Sequence, residues 1–162
     1  MGAKSIIGIG EYKADKNPGI LVTLGLGSCV GVCIIDKASG IGGLIHVMLP
    51  DSGGKSVAKP GKYADTGIPI LLEDMKKLGA NINRLEAKIA GGAAMFKSKG
   101  SSMEVGKRNV EAVKKVLRGK RIKIRAEDTA GGRARSIEYN LATGVLNVRK
   151  VGGGEKTEVV QI

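Results

Sequence analysis

The sequence contains no tryptophan and few other aromatic residues. These residues are Tyr12, Tyr63, Phe96 and Tyr139. Proteins that bind single-stranded nucleic acid usually stack bases on aromatic side chains, and so small a set does not make such a platform. The chain also carries no recognisable motif for reading bases. We therefore expect no nucleic acid among its partners.

Long apolar segments are also absent. No stretch approaches the roughly 18 apolar residues that a membrane-spanning helix needs, and the first residues show no apolar run typical of a secretory leader. Two cysteines without a secretory signal indicate a reducing compartment, so a structural disulfide is not expected. These features predict a cytoplasmic protein that does not insert into a membrane, with one domain over residues 1–162.

Basic residues and glycines are in excess. Lysine and arginine number 27 against 15 aspartate and glutamate, which gives a formal net charge of +12. Such a charge predicts attraction to an acidic partner. The 26 glycines are more than the average composition contains, and they favour a strand-rich fold with many tight turns.

Apolar patterning predicts more strands than helices. The predicted strands are residues 5–9, 20–24, 30–35, 41–49, 84–90, 121–127, 136–141 and 145–150. Turn residues at 36–40 and 142–144 join neighbouring strands into two hairpins. Helical spacing predicts one helix that Asp65 or Thr66 caps and Gly79 ends, and a second over residues 105–117. Because strands and helices do not alternate strictly, the pattern indicates an α+β fold.

Residues 23–50 contain both cysteines and the only histidine. Cys33 lies in an apolar run, which is typical of a buried thiol. Cys29 differs because Gly25, Gly27 and Gly31 surround it, and glycine turns expose backbone N–H groups that lower a thiol pKa or bind an oxyanion. Cys29 is therefore a candidate nucleophile, although a buried structural thiol is the alternative.

His46 is the one imidazole available to Cys29. A single histidine on an apolar strand is more often structural than catalytic, but a cysteine nucleophile needs a proton carrier. If the hairpin loop is residues 36–39, Cys29 lies opposite His46, whereas one more loop residue places them on opposite faces. The candidates for orienting the imidazole are Thr23, Ser28, Asp51, Ser52 and Thr66.

Other chemistry fits the sequence poorly. A metal site using Cys29, Cys33 and His46 is disfavoured, because residues four apart on a strand stand about 13 Å from each other. Residues 54–56 have the ending of a P-loop, but Leu49 occupies the place of its first glycine. We therefore expect neither a bound metal nor a nucleotide cofactor.

Several segments resemble the chemoreceptor glutamine deamidase family, CheD. They are GIGEY at 8–12, TLGLGSCV at 23–30, HVMLPDS at 46–52, GKYAD at 61–65, AGGA at 90–93, RNVEA at 108–112, EDT at 127–129 and GGRAR at 131–135. The segments cover almost the whole chain in the order that the family has, which makes the resemblance more specific than a cysteine and a histidine alone.

The resemblance implies a fold and an activity. It implies packed mixed β-sheets flanked by helices, similar to the deamidating cytotoxic necrotizing factor toxins. It assigns Cys29 as nucleophile, His46 as acid and base, and Thr23 as the group that orients His46, without a cofactor. The implied substrates are glutamines of methyl-accepting chemotaxis receptors, and the implied regulatory partner is a CheC-type phosphatase. A non-catalytic module that docks on receptors or phosphatase is the alternative.

Overall fold

The architecture is that of a computed structural model, which describes residues 2–94, 101–152 and 156–162. Within these residues the chain forms ten strands and two α-helices. In chain order they are β1 (Ala3–Ile6), β2 (Tyr12–Lys16), β3 (Gly19–Leu26), β4 (Val30–Asp36), β5 (Ile41–Val47), α1 (Ala64–Leu78), β6 (Glu86–Gly91), α2 (Ser101–Gly119), β7 (Lys123–Thr129), β8 (Ala134–Asn140), β9 (Leu146–Val151) and β10 (Glu158–Gln161). Strands and helices of this kind confirm the predicted α+β class.

The strands form two mixed sheets. The outer sheet has the order β1-β3-β8-β9-β10, and the central sheet has the order β2-β5-β4-β6-β7. Neighbouring strands are antiparallel except for two parallel pairs, β1 with β3 and β6 with β7. The prediction of packed mixed sheets is therefore confirmed, whereas the likeness to the necrotizing factor toxins stays a prediction.

The central sheet is covered on both faces. Alternate side chains of β4 point in opposite directions, so Val32 and Ile34 join a core with Leu71 of α1 and Val113 of α2. Cys33 and Ile35 instead join a second core with β3 and β8 of the outer sheet. Every residue of β4 and β5 is buried, which explains why their sequences are nearly continuous apolar runs.

The two helices begin earlier than the sequence predicts. The residue before α1 is Tyr63, which makes no side-chain cap, so the expected cap at Asp65 or Thr66 is wrong. Asp65 lies in the first turn, where a carboxylate suits the positive end of the helix dipole. Gly79 ends α1 with a φ of 114°, as predicted, because glycine adopts this left-handed backbone without strain.

Candidate active site

Thr23 and His46 come from different sheets and meet between them. Thr23 lies on β3 of the outer sheet, and His46 lies on β5 of the central sheet. Both side chains are completely buried. The distance between Thr23 Oγ1 and His46 Nδ1 is 2.6 Å, which is a hydrogen bond. The sheet packing therefore brings together two residues that stand 23 positions apart in the chain.

The hydrogen bonds of Thr23 determine the tautomer of His46. Thr23 Oγ1 also lies 2.6 Å from the carbonyl oxygen of Ile7, which can only accept a hydrogen bond. The single hydroxyl proton of Thr23 is used there, so its oxygen accepts from His46 Nδ1–H. The neutral imidazole then carries its proton on Nδ1 and presents an unprotonated Nε2, as a general base requires.

His46 Nε2 is buried and has no hydrogen-bond partner among the described residues. Burial lowers the pKa of this imidazole to about 4, since a charged ring loses its hydration between the sheets. His46 is therefore neutral at neutral pH. The unprotonated Nε2 is the nitrogen of this ring that can accept a proton from a nearby donor.

Cys29 belongs to the turn between β3 and β4. A bulge between Thr23 and Leu26 precedes this turn at the end of β3, and it contains Gly25 with a φ of 68°, a backbone conformation that glycine adopts most easily. The Cys29 side chain is partly exposed and packs against the core between the two sheets. The sulfur therefore lies on the same side of the central sheet as the His46 ring.

The hairpin register differs from both alternatives considered above. Asp36 pairs with Ile41, so Gly31 lies opposite His46 and Val30 lies opposite Val47. Cys29 is displaced by two positions from the partner of His46, which preserves the face because side chains alternate along a strand. Gly31 contributes no side chain, and the place that its Cβ would take is occupied by the side chains of Ile137 and Leu26.

The end of β6 holds the Cys29 turn in place. Gly92 N–H donates to the carbonyl of Cys29 over 2.8 Å, and Ala93 N–H donates to the carbonyl of Gly27 over 2.8 Å. Gly91 has a φ of 114°, and a Cβ at this position would overlap the Cys29 carbonyl oxygen. Glycine is required there because any side chain would displace the candidate nucleophile.

Cys33 is not part of this arrangement. Its side chain is completely buried in the core between the sheets, whereas Cys29 reaches the surface. Burial raises the pKa of both thiols, and Cys33 shows the larger increase. Neither cysteine forms a disulfide. The expectation that Cys33 is a buried structural thiol is consistent with these contacts.

Alkylation with iodoacetamide is expected to modify Cys29 and leave Cys33 intact in the folded protein. Because the Cys29 pKa is raised, the thiolate fraction grows about tenfold for each pH unit from 7 to 9, and the rate should follow it. Mass spectrometry of tryptic peptides measures both rates. A Cys29 rate that is already constant at pH 6 to 7 would instead indicate a resting thiolate–imidazolium pair.

Three of the remaining candidates for orienting His46, namely Asp51, Ser52 and Thr66, bond to other groups. Asp65 accepts hydrogen bonds from the backbone and the hydroxyl of Ser52, and the Thr66 hydroxyl donates to the carbonyl of Pro60. Asp51 accepts from the backbone of Gly53. Thr23 is therefore the candidate that the structure brings to the imidazole.

Sequence reasoning overlooked two groups at this site. One is the Ile7 carbonyl, which receives the Thr23 proton and so selects the histidine tautomer. The other is Asn109 of α2, which contacts backbone on either side of the candidate pair. Asn109 lies in the RNVEA segment of the family resemblance, but nothing in that segment alone reveals its contacts.

Other features of the described residues fall outside this site. A cleft of about 530 Å³ on the outer face of the outer sheet is lined by residues such as Leu24, Ser136 and Val159, and it includes neither Cys29 nor His46. Within the described residues, no group of three or more histidine, cysteine, aspartate or glutamate side chains is arranged to hold a metal ion. No helix there is long and apolar enough to span a membrane.

Fold and site together define an α+β protein with a candidate thiol–imidazole centre between two mixed sheets. The family model described as CheD chemotactic sensory transduction matches residues 48–150. The chain is 64% identical over 159 residues to the chemoreceptor glutamine deamidase CheD of Thermotoga maritima, covering 98% of this chain and 99% of the relative.

Two further relatives show the same relationship. The probable chemoreceptor glutamine deamidase CheD of Thermococcus kodakarensis is 46% identical over 95% of this chain and 97% of its own length. The corresponding protein of Caldanaerobacter subterraneus subsp. tengcongensis is 49% identical over 93% of this chain and 94% of its own length. The chain belongs to the CheD family, and the resemblance seen in the sequence is confirmed.

Proposed function

We propose that this protein is a protein-glutamine deamidase that converts glutamines of methyl-accepting chemotaxis receptors to glutamate and releases ammonia. In this proposal Cys29 is the nucleophile, His46 carries protons, and Thr23 orients His46. The observation that supports it most directly is the Thr23–His46 hydrogen bond, which leaves Nε2 unprotonated beside the layer that contains the Cys29 thiol. The names of full-length relatives support the substrate.

The reaction begins from a neutral pair. Since burial raises the Cys29 pKa and lowers that of His46, the thiol keeps its proton until substrate arrives. His46 Nε2 accepts the thiol proton as the sulfur attacks the carboxamide carbon of the glutamine. The tetrahedral intermediate then collapses, and His46 donates the proton to the departing ammonia, which leaves a thioester. His46 next deprotonates a water, whose oxygen attacks the thioester carbon. The carbon–sulfur bond breaks, glutamate is released, and His46 returns the proton to the Cys29 sulfur.

Backbone N–H groups at the turn are suited to bind the oxyanion of each tetrahedral intermediate. The N–H groups of Ser28 and Cys29 donate to no backbone acceptor within the described ranges. Fixed donors of this kind stabilise developing negative charge without reorganisation. The chemistry needs neither a metal nor an organic cofactor, because thiol, imidazole and backbone supply every step.

The charge and composition of the chain agree with the proposed setting. A formal charge of +12 favours approach to an acidic protein surface. We propose a cytoplasmic, single-domain protein over residues 1–162 whose substrates are the cytoplasmic helices of the receptors. A CheC-type phosphatase is the proposed regulatory partner, and membrane insertion and nucleic-acid binding are not part of the proposal.

Mass spectrometry of a receptor cytoplasmic fragment tests the proposal. After incubation with the protein, selected glutamine-containing peptides are expected to gain the mass difference between glutamine and glutamate. Ammonia should appear in an equal amount. A fragment whose modified glutamines are replaced by alanine is the matched control and should release no ammonia. Receptor fragments that keep every glutamine after prolonged incubation would contradict the proposal.

A further inference from the structure

Asn109 differs from the other polar side chains in the interior. Five polar or charged side chains are buried among the described residues, namely Thr23, Asp36, His46, Asn109 and Arg135. Thr23 and His46 bond to each other, Asp36 pairs with Arg84, and Arg135 pairs with Asp128. Asn109 has no charged partner among these contacts, and its side chain instead bonds to the backbone of the candidate active site.

One amide nitrogen of Asn109 bridges two chain segments. Asn109 Nδ2 lies 2.9 Å from the carbonyl oxygen of Ser28 and 3.0 Å from the carbonyl oxygen of Met48. Because both partners are acceptors, the atom between them is the nitrogen, and each of its two protons serves one carbonyl. Ser28 immediately precedes Cys29, and Met48 follows His46 by two residues.

The bridge lies where the strand ladder stops. The last pair of β4 and β5 at this end is Val30 with Val47, and beyond it the two segments separate toward the turn and the loop. Cys29 lies just beyond this end of the ladder, and His46 lies in the neighbouring pair, opposite Gly31. The amide of Asn109 therefore joins the two segments beyond the last ladder pair, and it couples the position of the thiol to that of the imidazole.

Helix α2, which carries Asn109, packs closely against the segment that follows β6. A Cβ at Gly106 would lie 2.7 Å from the Ala93 carbonyl oxygen and 2.8 Å from that of Gly92, so α2 approaches this segment more closely than a side chain allows. The N–H groups of the same two residues fix the Cys29 turn. Asn109 thus reaches the site from a rigid support.

Stability alone does not explain the choice of asparagine. Asn109 Oδ1 is buried and has no hydrogen-bond partner in the part of the chain that the structure describes. An unsatisfied buried oxygen is unfavourable, and such exceptions in a folded protein call for a reason. The reason here is geometric, because a short planar amide places two N–H donors toward two carbonyls at a fixed angle.

We infer that Asn109 is a positioning residue that holds the backbone of Cys29 and His46 at the separation that proton transfer requires. The inference rests on the proposed function for its effect on catalysis. Its effect on the thiol is independent of that function, since releasing the Ser28 carbonyl changes how the neighbouring Cys29 is presented to any reagent.

The test compares Asn109→Ala with Val113→Ala, which removes a fully buried side chain from the same helix one turn further on. For Asn109→Ala, kcat for ammonia release from a receptor fragment should fall roughly 10- to 100-fold with KM within about threefold, because misplacing reacting groups mainly affects the chemical step. The rate at which iodoacetamide modifies Cys29 should change at least about threefold.

Val113→Ala controls for lost stability. It is expected to lower the melting temperature at least as much as Asn109→Ala while both rates stay within about twofold of the parent protein. Equal rates in the two variants would overturn the positioning role. If the parent protein releases no ammonia from receptor fragments, the proposed function fails, whereas the alkylation rates still decide whether Asn109 positions the thiol.

Discussion

Cys29→Ala protein is expected to release ammonia from receptor fragments at least about 10⁴-fold more slowly than the parent protein, because removing a nucleophile removes the covalent route altogether. The variant should fold normally, since Cys29 is partly exposed and lies in a turn. Ammonia release under saturating fragment, followed by mass spectrometry of the fragment, measures the effect.

Cys33→Ala is the matched control for that experiment. It removes the same group from a position four residues further on, within the core between the sheets. The substitution leaves a small cavity and lowers stability by roughly 1 kcal/mol, while ammonia release should stay within about threefold at a temperature well below melting. If Cys29→Ala retains activity and Cys33→Ala loses it, the nucleophile has been assigned to the wrong thiol.

Receptor binding by the Cys29→Ala variant distinguishes the hypothesis of an enzyme from that of a docking module. If the protein only docks on receptors or on a phosphatase, its function does not depend on the reactivity of the Cys29 thiol. Binding of a receptor fragment should therefore remain within about threefold in Cys29→Ala, as the side chain contributes little area to an interface. Retained binding together with lost ammonia release supports catalysis, whereas parallel loss of both supports a role of Cys29 in docking.

Buried strands could be predicted from the sequence, whereas the edge strands β2 and β10 could not. Strands β4 and β5 lie in the middle of the central sheet with both faces covered, so their residues form apolar runs. Strands β2 and β10 lie at sheet edges and are only partly buried. Their sequences, YKADK and EVVQ, contain too few core side chains to produce an alternating pattern.

The hairpin register depends on contacts that are remote in sequence. The carboxylate of Asp36 accepts hydrogen bonds from Arg84 and from the backbone of Asn81, which stand more than forty residues away. These bonds keep Asp36 in β4. The turn therefore comprises residues 37–40, and Gly40 closes it with a φ of 71°. A pattern of turn residues does not contain this information.

The members of the candidate site could be proposed from the sequence, whereas the contacts between them could not. Cys29 and His46 attract attention because the chain contains two thiols and a single imidazole. Thr23 was one of five possible orienting residues by sequence distance, and only the packing of the two sheets places its hydroxyl against His46 Nδ1. The Asn109 side chain contacts backbone carbonyl groups of the candidate site. Because every residue has a backbone carbonyl, such contacts cannot be predicted from the pattern of side chains.

The second large effect is expected at His46. His46→Asn retains a donor near the position of Nδ1 for Thr23 but removes the basic Nε2, so ammonia release should fall roughly 10³-fold. Thr23→Val removes the hydroxyl while keeping the branched shape, and it should lower ammonia release roughly 10²-fold, since the imidazole loses its fixed tautomer. Thr23→Ser keeps the hydroxyl and should remain within about fivefold, which separates the hydrogen bond from packing.

Combining the two substitutions tests whether Thr23 acts through His46. If the hydroxyl only orients the imidazole and selects its tautomer, it has no further task once Nε2 is absent. The double variant His46→Asn/Thr23→Val should then release ammonia at nearly the rate of His46→Asn alone, and the two losses should not multiply. Multiplying losses would mean that Thr23 contributes independently of His46, for example by keeping the Ile7 segment in place through its second hydrogen bond. Non-multiplying losses would instead identify the hydrogen bond between the two sheets as the physical link between this fold and its chemistry.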